Sequence, residues 1–322
     1  ATGHFGKWHL NALRGPGVPI FANDTHHPGT FGFQTWLSVS NFFDRDPIMS
    51  RAGEFEEFKG DSSEIIVEEA IKFIRRQANA KTPSFTVIWY GTPHSPFKAA
   101  DADMQDFQDL DEASRHHYGE LVAMDRSIGT LRAGLKELGV ADQTMVWFCS
   151  DNGGLPKIEP ETVGGLRGNK GSVYEGGARV PSFVRWPGVL EPHANNNMIT
   201  VQDVLPTVLA ATSVDVPIDL DGGNQWPMLT QQGPGTPRDY LTMGQNGAQA
   251  YYQWPWKLIA AGDVVELYNL ETDPLEARNV AAQQPHRVAE LSEQLDAAPR
   301  APSLHIPIYQ VFWDPDFFGG ED

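Results

Sequence analysis

Two side chains with oxygen atoms that could bind a cation, and one lysine, follow a predicted buried strand in the middle of the chain. Asp151 and Asn152 directly follow the apolar run 144–149 and offer carboxylate and amide oxygens, which are the ligands that Ca²⁺ or Mg²⁺ prefers. Asp-Asn-Gly-Gly is also favourable turn chemistry, so a plain turn is an alternative. Lys170, in Gly-Asn-Lys-Gly, could hold an anionic oxygen or be an exposed loop lysine.

Further candidates for anion binding and proton transfer are Lys7, His9 and His94. Lys7 and His9 stand two residues apart, so on an extended segment they would face the same side. His94 follows the apolar run 84–90, and ligands of doubly wound sheets bind at the carboxyl ends of strands. We therefore expect His94 and Asp151 at the same sheet edge, although each histidine could equally be structural.

The remaining reactive side chains are interpreted as structural. Cys149 is the single cysteine, which excludes an internal disulfide, and at the end of an apolar run it is expected to be a buried, inert thiol. The adjacent pairs His26-His27 and His116-His117 have no partner motif, and we expect them to be non-catalytic.

The elements that must position these groups alternate between helix and strand, which is typical of a doubly wound α/β sheet. Residues 11–60 are rich in Gly, Pro and Asn and are predicted to be a long irregular segment. Apolar periodicity and capping residues predict the later elements. These are a helix from Ser62 or Ser63 to 79, a buried strand 84–90, a helix 113–138, a buried strand 144–149, a strand 180–186 and a helix 201–211 capped by Thr200.

The amino-acid composition of the sequence changes after residue 212. Residues 213–238 are rich in Gly, Pro and Asp and are predicted to be a linker or crossing loop. Short aromatic runs and a final helix at 285–295 predict a small α+β subdomain with an antiparallel sheet. The predicted division is therefore a main α/β domain 1–212, the loop 213–238 and a C-terminal subdomain 239–322.

Composition limits the classes of partner. The 322 residues are 40% hydrophobic, enough for a sizeable core, and carry 24 Lys+Arg against 42 Asp+Glu, a net charge of −18. This balance argues against a nucleic-acid partner, and an anionic substrate would need a locally positive pocket. The sequence predicts no transmembrane segment, because no apolar run approaches the required length.

The order of these motifs resembles that of one enzyme family. The motifs are Gly6-Lys7-Trp8-His9-Leu10, Thr92-Pro93-His94-Ser95-Pro96, Ser150-Asp151-Asn152-Gly153-Gly154, Gly168-Asn169-Lys170-Gly171, Tyr174-Glu175-Gly176-Gly177 and Arg185-Trp186-Pro187-Gly188. The series resembles the formylglycine-dependent sulfatases of the alkaline phosphatase-like superfamily. The resemblance implies an α/β fold of that type: a mixed, mostly parallel sheet between helices, with a small C-terminal subdomain.

The resemblance also implies roles for the candidate residues. Asp151 and Asn152 match two of the family's four metal ligands, for Ca²⁺ rather than Mg²⁺, and Lys170 matches a lysine that contacts the substrate sulfate and the metal-side oxygens. The substrate would be a sulfated small molecule or a sulfated oligo- or polysaccharide. Bacterial members are often exported, so a periplasmic or extracellular location is an expectation from the resemblance alone.

Three further residues match positions on the nucleophile side of the family's site. Lys7 and His9 match the pair that holds the nucleophile's hydroxyl and the sulfate oxygens. His94 matches the histidine that binds the sulfate and protonates the leaving oxygen. Catalytic roles therefore fall on Lys7, His9, His94 and Lys170.

The family's nucleophile motif, C/S-x-P-x-R, is absent from these 322 residues, and so is the Asp-Asp pair that supplies its other two metal ligands. In the family both lie upstream of the Gly-Lys-Trp-His-Leu motif, so we expect a formylglycine before Ala1. The chain alone is then expected to show no sulfatase turnover and weak Ca²⁺ binding. The alternatives are a phosphonate or phosphate ester hydrolase of the same superfamily and a non-catalytic, sulfatase-like binding protein.

Overall fold

The computed structural model describes residues 1–11, 13, 14, 17–41, 43–298, 309 and 310. Residues 299–308 and 311–322 of the predicted C-terminal subdomain lie outside the described residues. The described residues form two compact units: the first contains those within 1–141 and 158–160 together with 309 and 310, and the second contains those within 142–157 and 161–298. The division at 212 and 238 stays a prediction.

The strands and helices are numbered here in chain order. The strands are β1 Thr2–Lys7, β2 Leu13–Arg14, β3 Thr35–Val39, β4 Ile48–Arg51, β5 Glu54–Glu57, β6 Phe85–Trp89, β7 Val146–Cys149, β8 Ser182–Arg185, β9 Leu241–Gln245, β10 Ala248–Gln253, β11 Trp256–Ala261, β12 Val264–Asn269 and β13 Tyr309–Gln310. The helices are α1 Ser62–Asn79, α2 Glu112–Glu137, α3 Glu175–Ala178, α4 Val204–Ala211, α5 Trp226–Leu229 and α6 Pro285–Ala297.

The first unit is built on a five-stranded sheet in the order β5-β4-β3-β1-β6. β1 runs parallel to both β3 and β6, whereas β4 is antiparallel to β3 and to β5. α1 covers the sheet with Ile66 and Phe73, which pack with Phe5 and Leu37 in one core cluster. The carboxylate of Asp61 accepts a hydrogen bond from the backbone of Ser63 and so caps α1, a role that the sequence predicted for Ser62 or Ser63.

Two expectations about the first unit are wrong. Residues 11–60 contain β3, β4 and β5, and β3 is almost entirely buried. Glycine and proline around these short strands obscure their apolar pattern in the sequence. The burial of the strands depends on β1, which the local sequence does not indicate. The strand predicted at 84–90 is β6, but it lies at the sheet edge, and Phe85 and Trp89 are 50% and 43% exposed. An apolar run indicates burial only when neighbouring elements cover both of its faces.

The second unit contains two antiparallel sheets. In the described residues β7 pairs with β8, in a different sheet from β6, and the common edge expected for His94 and Asp151 stays a prediction. The sheet β12-β11-β10-β9 confirms the predicted antiparallel C-terminal sheet, and α6 packs on it through Leu291 and Leu295. Thr200 and Asp203 form the capping box before α4, as the sequence predicted for Thr200.

The architecture confirms the predicted class of α/β fold with a mixed sheet, helices and a separate antiparallel sheet. None of the helices in the described part of the chain is both long and apolar enough to span a bilayer.

Candidate active site

The segment that carries Lys7 and His9 continues β1 along the end of β3. The backbone N–H groups of Trp8 and His9 donate to the carbonyls of Val39 and Ser40, at 2.8 and 2.7 Å. The Trp8 ring is buried, and its Nε1 donates to the His26 carbonyl at 2.6 Å. Trp8 therefore anchors the backbone between the two candidate residues.

The direction of His9 is not set by strand alternation, contrary to the sequence-based expectation. Its φ of 52° lies in the left-handed region, so the extended conformation of β1 ends before it. Just before Lys7, Gly6 has a φ of 109°, and a Cβ there would lie 2.0 Å from the Trp89 carbonyl oxygen. This close approach requires glycine and fixes the end of β1 against β6.

His94 lies beyond β6 in a segment with two cis prolines, Pro93 and Pro96. Its Nδ1 lies 2.7 Å from the Ser95 carbonyl. A carbonyl only accepts hydrogen bonds, so Nδ1 carries the proton and Nε2 is the ring nitrogen that can exchange a proton with a substrate. The donor role that the resemblance implies for His94 requires a second proton on Nε2, that is, the imidazolium form.

Side chains of α2 hold this segment in place. Lys98 N–H donates to Glu120 Oε1 at 2.5 Å, and Ala99 N–H donates to His116 Nδ1 at 3.1 Å. His117 forms a hydrogen bond with the backbone of Pro93. The histidine pair on α2, predicted to be non-catalytic, thus belongs to the support of the His94 segment.

This support was not predicted from the sequence, although the spacing of polar residues along α2 indicates it. Ser114, His117, Glu120 and Ser127 recur at helical spacing and are all buried, so the inward face of α2 is polar. A polar inward face indicates a hydrogen-bonded network rather than simple core packing.

Glu120, within this support, carries a proton at neutral pH. Burial, reinforced by the charges of Asp44 and Asp61, raises the pKa of Glu120 to about 9. Burial also raises the pKa of Asp44 to about 7, with Asp61 adding to the shift. A neutral Glu120 still accepts the hydrogen bond from Lys98.

In the second unit, Asp151 and Asn152 follow β7 at the start of a turn. Ser150 Oγ donates to the Asn152 carbonyl at 2.8 Å, and Asn152 Nδ2 donates to the Gly153 carbonyl at 3.1 Å. The amide nitrogen is thus engaged within the turn, and the amide oxygen is the atom of Asn152 that could bind a cation.

The structure brings Lys170 to this turn. Its backbone N–H donates to the Gly154 carbonyl at 2.8 Å. Burial lowers the pKa of the Lys170 ammonium, and the nearby negative charge of Asp151 opposes that shift. The unit therefore presents a partly desolvated cation beside a carboxylate.

Glycines make this arrangement possible. A Cβ on Gly153 would lie 1.8 Å from the Gly176 carbonyl oxygen, and one on Gly176 would lie 2.1 Å from the Gly168 carbonyl oxygen. The three backbone segments pack directly on one another.

The donor set fits one side of a Ca²⁺ site. Ca²⁺ binds about six to eight oxygen ligands, of which Asp151 and Asn152 supply two. Within the described residues, no group of three or more His, Cys, Asp or Glu side chains could hold a metal ion. Asp151 and Asn152 alone therefore do not form a complete shell.

Cys149 is exposed rather than buried, so that expectation is wrong. Its strand belongs to a two-stranded sheet, which leaves the residue open. Partial burial and the charge of Asp151 raise the pKa of its thiol. The thiol therefore stays protonated and is a weak nucleophile, which agrees with an inert role.

Comparisons with known proteins place this geometry in a family. Residues 1–214 match the sulfatase family model, and residues 168–300 match that of the C-terminal region of N-sulphoglucosamine sulphohydrolase. The chain is 27% identical over 261 residues to the uncharacterized sulfatase YdeN of Escherichia coli K12, covering 75% of this chain and 47% of that protein. It is 31% identical over 236 residues to human N-acetylgalactosamine-6-sulfatase, covering 71% and 40%.

The crystal structure of Ps i-CgsB superposes with a TM-score of 0.77 at 24% identity and covers 92% of this chain and 70% of that one. The fold is therefore of the alkaline phosphatase-like type. Within that class, the chain belongs to the sulfatase family, as the match over residues 1–214 shows. It spans less than half the length of the two curated relatives.

Proposed function

We propose that this protein hydrolyses sulfate esters to an alcohol and inorganic sulfate. The observation that carries the proposal is Lys170, a partly desolvated cation beside Asp151 at the end of β7. Such a cation suits an anionic ester oxygen, and it supplies the local positive charge that a protein of net charge −18 needs.

Different residues of this chain would bind the sulfate oxygens, donate a proton and accept a proton. Lys7 and Lys170 would bind sulfate oxygens and stabilise the negative charge that develops on them. His94, in its doubly protonated imidazolium form, would donate the Nε2 proton to the departing alcohol oxygen, while Nδ1–H keeps its bond to the Ser95 carbonyl. His9 is proposed as the base that accepts a proton when sulfate is released.

Two groups of the proposed mechanism lie outside these residues. Asp151 and Asn152 would hold one side of a Ca²⁺, which when bound adds positive charge at the sulfate oxygens. We propose that the nucleophile is a formylglycine outside the 322 residues, since no C/S-x-P-x-R motif occurs among them.

The substrate is proposed to be a sulfated carbohydrate. Support comes from the relative named N-acetylgalactosamine-6-sulfatase and from the match of residues 168–300 to the C-terminal model of N-sulphoglucosamine sulphohydrolase. A periplasmic or extracellular location is proposed on the family resemblance alone.

The test compares two polypeptides: the pure 322-residue chain and the product of the full reading frame that contains it. Release of sulfate from 4-nitrophenyl sulfate and from 6-sulfated N-acetylgalactosamine is measured by ion chromatography, in parallel with a phosphonate ester. We expect turnover of sulfate esters by the longer product and none by the 322-residue chain. A longer product that favours the phosphonate ester would overturn the proposal in favour of that hydrolase class, and one that only binds sulfated sugars would indicate a binding protein.

Calorimetry with CaCl₂ provides a second test. The 322-residue chain should bind Ca²⁺ weakly or not at all, because it supplies two of the proposed ligands. Tight stoichiometric binding by this chain would contradict the proposed division of the site.

A further inference from the structure

Lys257, on β11, is a fully buried cation in the second unit. Its Nζ lies 2.9 Å from Glu175 Oε1 and 2.6 Å from Glu276 Oε1, and it lies 4.7 Å over the ring of Tyr252. Apolar side chains of similar volume often replace buried ion clusters without loss of stability. Stability alone is therefore a weak reason for this cluster, and its contacts indicate another role.

The carboxylates of Glu175 and Glu276 hold the end of the segment 167–175, which carries Lys170. Glu175 begins α3, and its backbone N–H donates to Glu276 Oε2 at 2.7 Å. Tyr252 Oη donates to Glu175 Oε1 at 3.1 Å. Glu276 thus fixes the backbone at residue 175, while Lys257 and Tyr252 fix the side chain.

Arg167 anchors the beginning of the same segment. Its guanidinium donates to Tyr268 Oη at 2.5 Å and to Tyr174 Oη at 3.1 Å, and lies 4.0 Å over the Tyr174 ring. Tyr268 belongs to β12 and also donates to Glu266 Oε2 of the same strand, at 3.0 Å. The same sheet therefore holds both ends of the segment.

A third contact lies next to Lys170 itself. Asn246, in the turn between β9 and β10, donates from Nδ2 to the Gly171 carbonyl at 2.7 Å. Its φ of 50° is the left-handed conformation that asparagine tolerates in such turns. The contact fixes the peptide between Gly171 and Ser172, one residue beyond Lys170.

The segment needs such external contacts because its own sequence cannot make it rigid. Glycine at 168, 171, 176 and 177 gives its backbone wide conformational freedom. Groups that act on a transition state must be held within about 0.5 Å of their productive positions. Contacts from a rigid sheet provide that constraint.

We propose that the sheet β9–β12 positions Lys170, and that Lys257, Glu276 and Asn246 are positioning residues for it. The role in hydrolysis rests on the proposed function, whereas the positioning itself does not.

Amide hydrogen exchange on the 322-residue chain tests the positioning directly. The Lys170 amide is a local reporter, because it is protected by its bond to Gly154. We expect this amide to exchange about tenfold faster in Glu276→Gln and Asn246→Gly than in the wild type, with β10 and β11 unchanged. Asn246→Gly keeps the left-handed turn and removes only the amide, so it decides the question if Glu276→Gln fails to fold.

Glu290→Gln is the matched control. It removes a carboxylate from the exposed Arg287–Glu290 pair on α6 of the same unit and should leave the Lys170 amide at its wild-type rate. The proposal is overturned if this amide keeps its wild-type rate in both test variants, or if it changes only in step with β10 and β11, which would indicate a global loss of stability.

A double-mutant cycle in the product of the full reading frame tests whether the positioning affects the proposed hydrolysis. If Asn246 acts through Lys170, Asn246→Gly should lower kcat/KM in the wild type and have no further effect in a Lys170→Met background. Equal effects in both backgrounds would rule out action through Lys170. If the longer product hydrolyses no sulfate ester, the proposed function fails, while the exchange data still decide the positioning.

Discussion

The backbone N–H of Lys98 donates to Glu120 Oε1 at 2.5 Å, and this bond joins the middle of α2 to the segment that carries His94. Glu120 is 1% exposed, and Asp44 and Asp61 lie close enough to disfavour its charge. The support of a proposed proton donor therefore depends on a carboxyl group that is itself protonated.

The pH dependence of stability should reveal this proton. The pKa of Glu120 is raised from 4.5 to about 9 in the folded state, so the folded chain binds more protons than the unfolded chain within that window. Its contribution to stability is fully present below pH 4.5 and is lost as the pH rises towards 9. Glu120→Gln keeps the acceptor for Lys98 and removes the ionisation. Its advantage in stability over the wild type should be larger at pH 9 than at pH 5 by about 5 kcal/mol, as measured by urea unfolding.

Glu137→Gln is the control for this comparison, because Glu137 lies on the same helix and is exposed. Its stability should follow that of the wild type across the same range. If Glu120→Gln also follows the wild type, Glu120 is ionised in the folded state.

His4 should show the opposite pH dependence. It is fully buried among Trp8, Phe33 and Trp89, and burial lowers its pKa from 6.5 to about 3. The unfolded state therefore binds the extra proton below pH 6.5, and stability falls as the pH falls from 6.5 towards 3. From pH 7.5 to 5, this residue alone should cost the wild type about 2 kcal/mol.

His4→Asn tests this dependence, because asparagine keeps a polar atom near the Nδ1 that lies 2.7 Å from Ser38 Oγ. The variant should lose less stability than the wild type on acidification. Imidazole NMR gives a direct measurement, in which the His4 resonances stay constant from pH 8 to 4. A His4 titration midpoint near 6.5 would show that the folded site admits the charge.

Lys170 should be required for hydrolysis in the longer product. Lys170→Met keeps most of the unbranched side chain and removes its charge, so kcat/KM for a sulfate ester should fall by about 10²-fold or more. Lys136→Met, at an exposed position of α2, is the matched control and should leave kcat/KM unchanged. Activity that survives Lys170→Met would assign the sulfate contact to other residues.

The glycine contact beneath the Asp151 turn should tolerate no side chain. Gly153→Ala places a Cβ against the Gly176 carbonyl, and because the obstacle is backbone, we expect a loss of about 3 kcal/mol in the free energy of unfolding. Gly129→Ala, within α2, meets nothing within 4 Å and should instead stabilise the chain by about 0.5–1 kcal/mol. Denaturant unfolding measures both, and equal effects would show that the loop can move aside.

The sequence predicted those elements whose signals are local. α1 and α2 follow from helical periodicity and stop signals, and β9–β12 follow from short aromatic runs separated by turns. β3 was missed because its burial depends on β1, which is distant in sequence. The exposure of β6 was missed because an apolar run does not reveal whether another element covers it.

The same limit applies to the supports of the candidate site. Lys170, Asp151 and His94 stand in short motifs that the sequence displays. The partners Lys257 and Glu175 are 82 positions apart, and nothing near either residue indicates the other. Long-range ion pairs of this kind emerge only when the chain is folded.

Gly6 has a consequence for inherited variation. Every missense change at its codon adds a Cβ that would lie 2.0 Å from the Trp89 carbonyl oxygen, on a backbone whose φ of 109° already disfavours a side chain. The adjoining Lys7 would be under selection for its proposed contact with the sulfate, whereas Gly6 is constrained because its position has no room for a side chain. Surveys of natural alleles should therefore find Gly6 as intolerant of substitution as a catalytic residue, although it takes no part in the reaction.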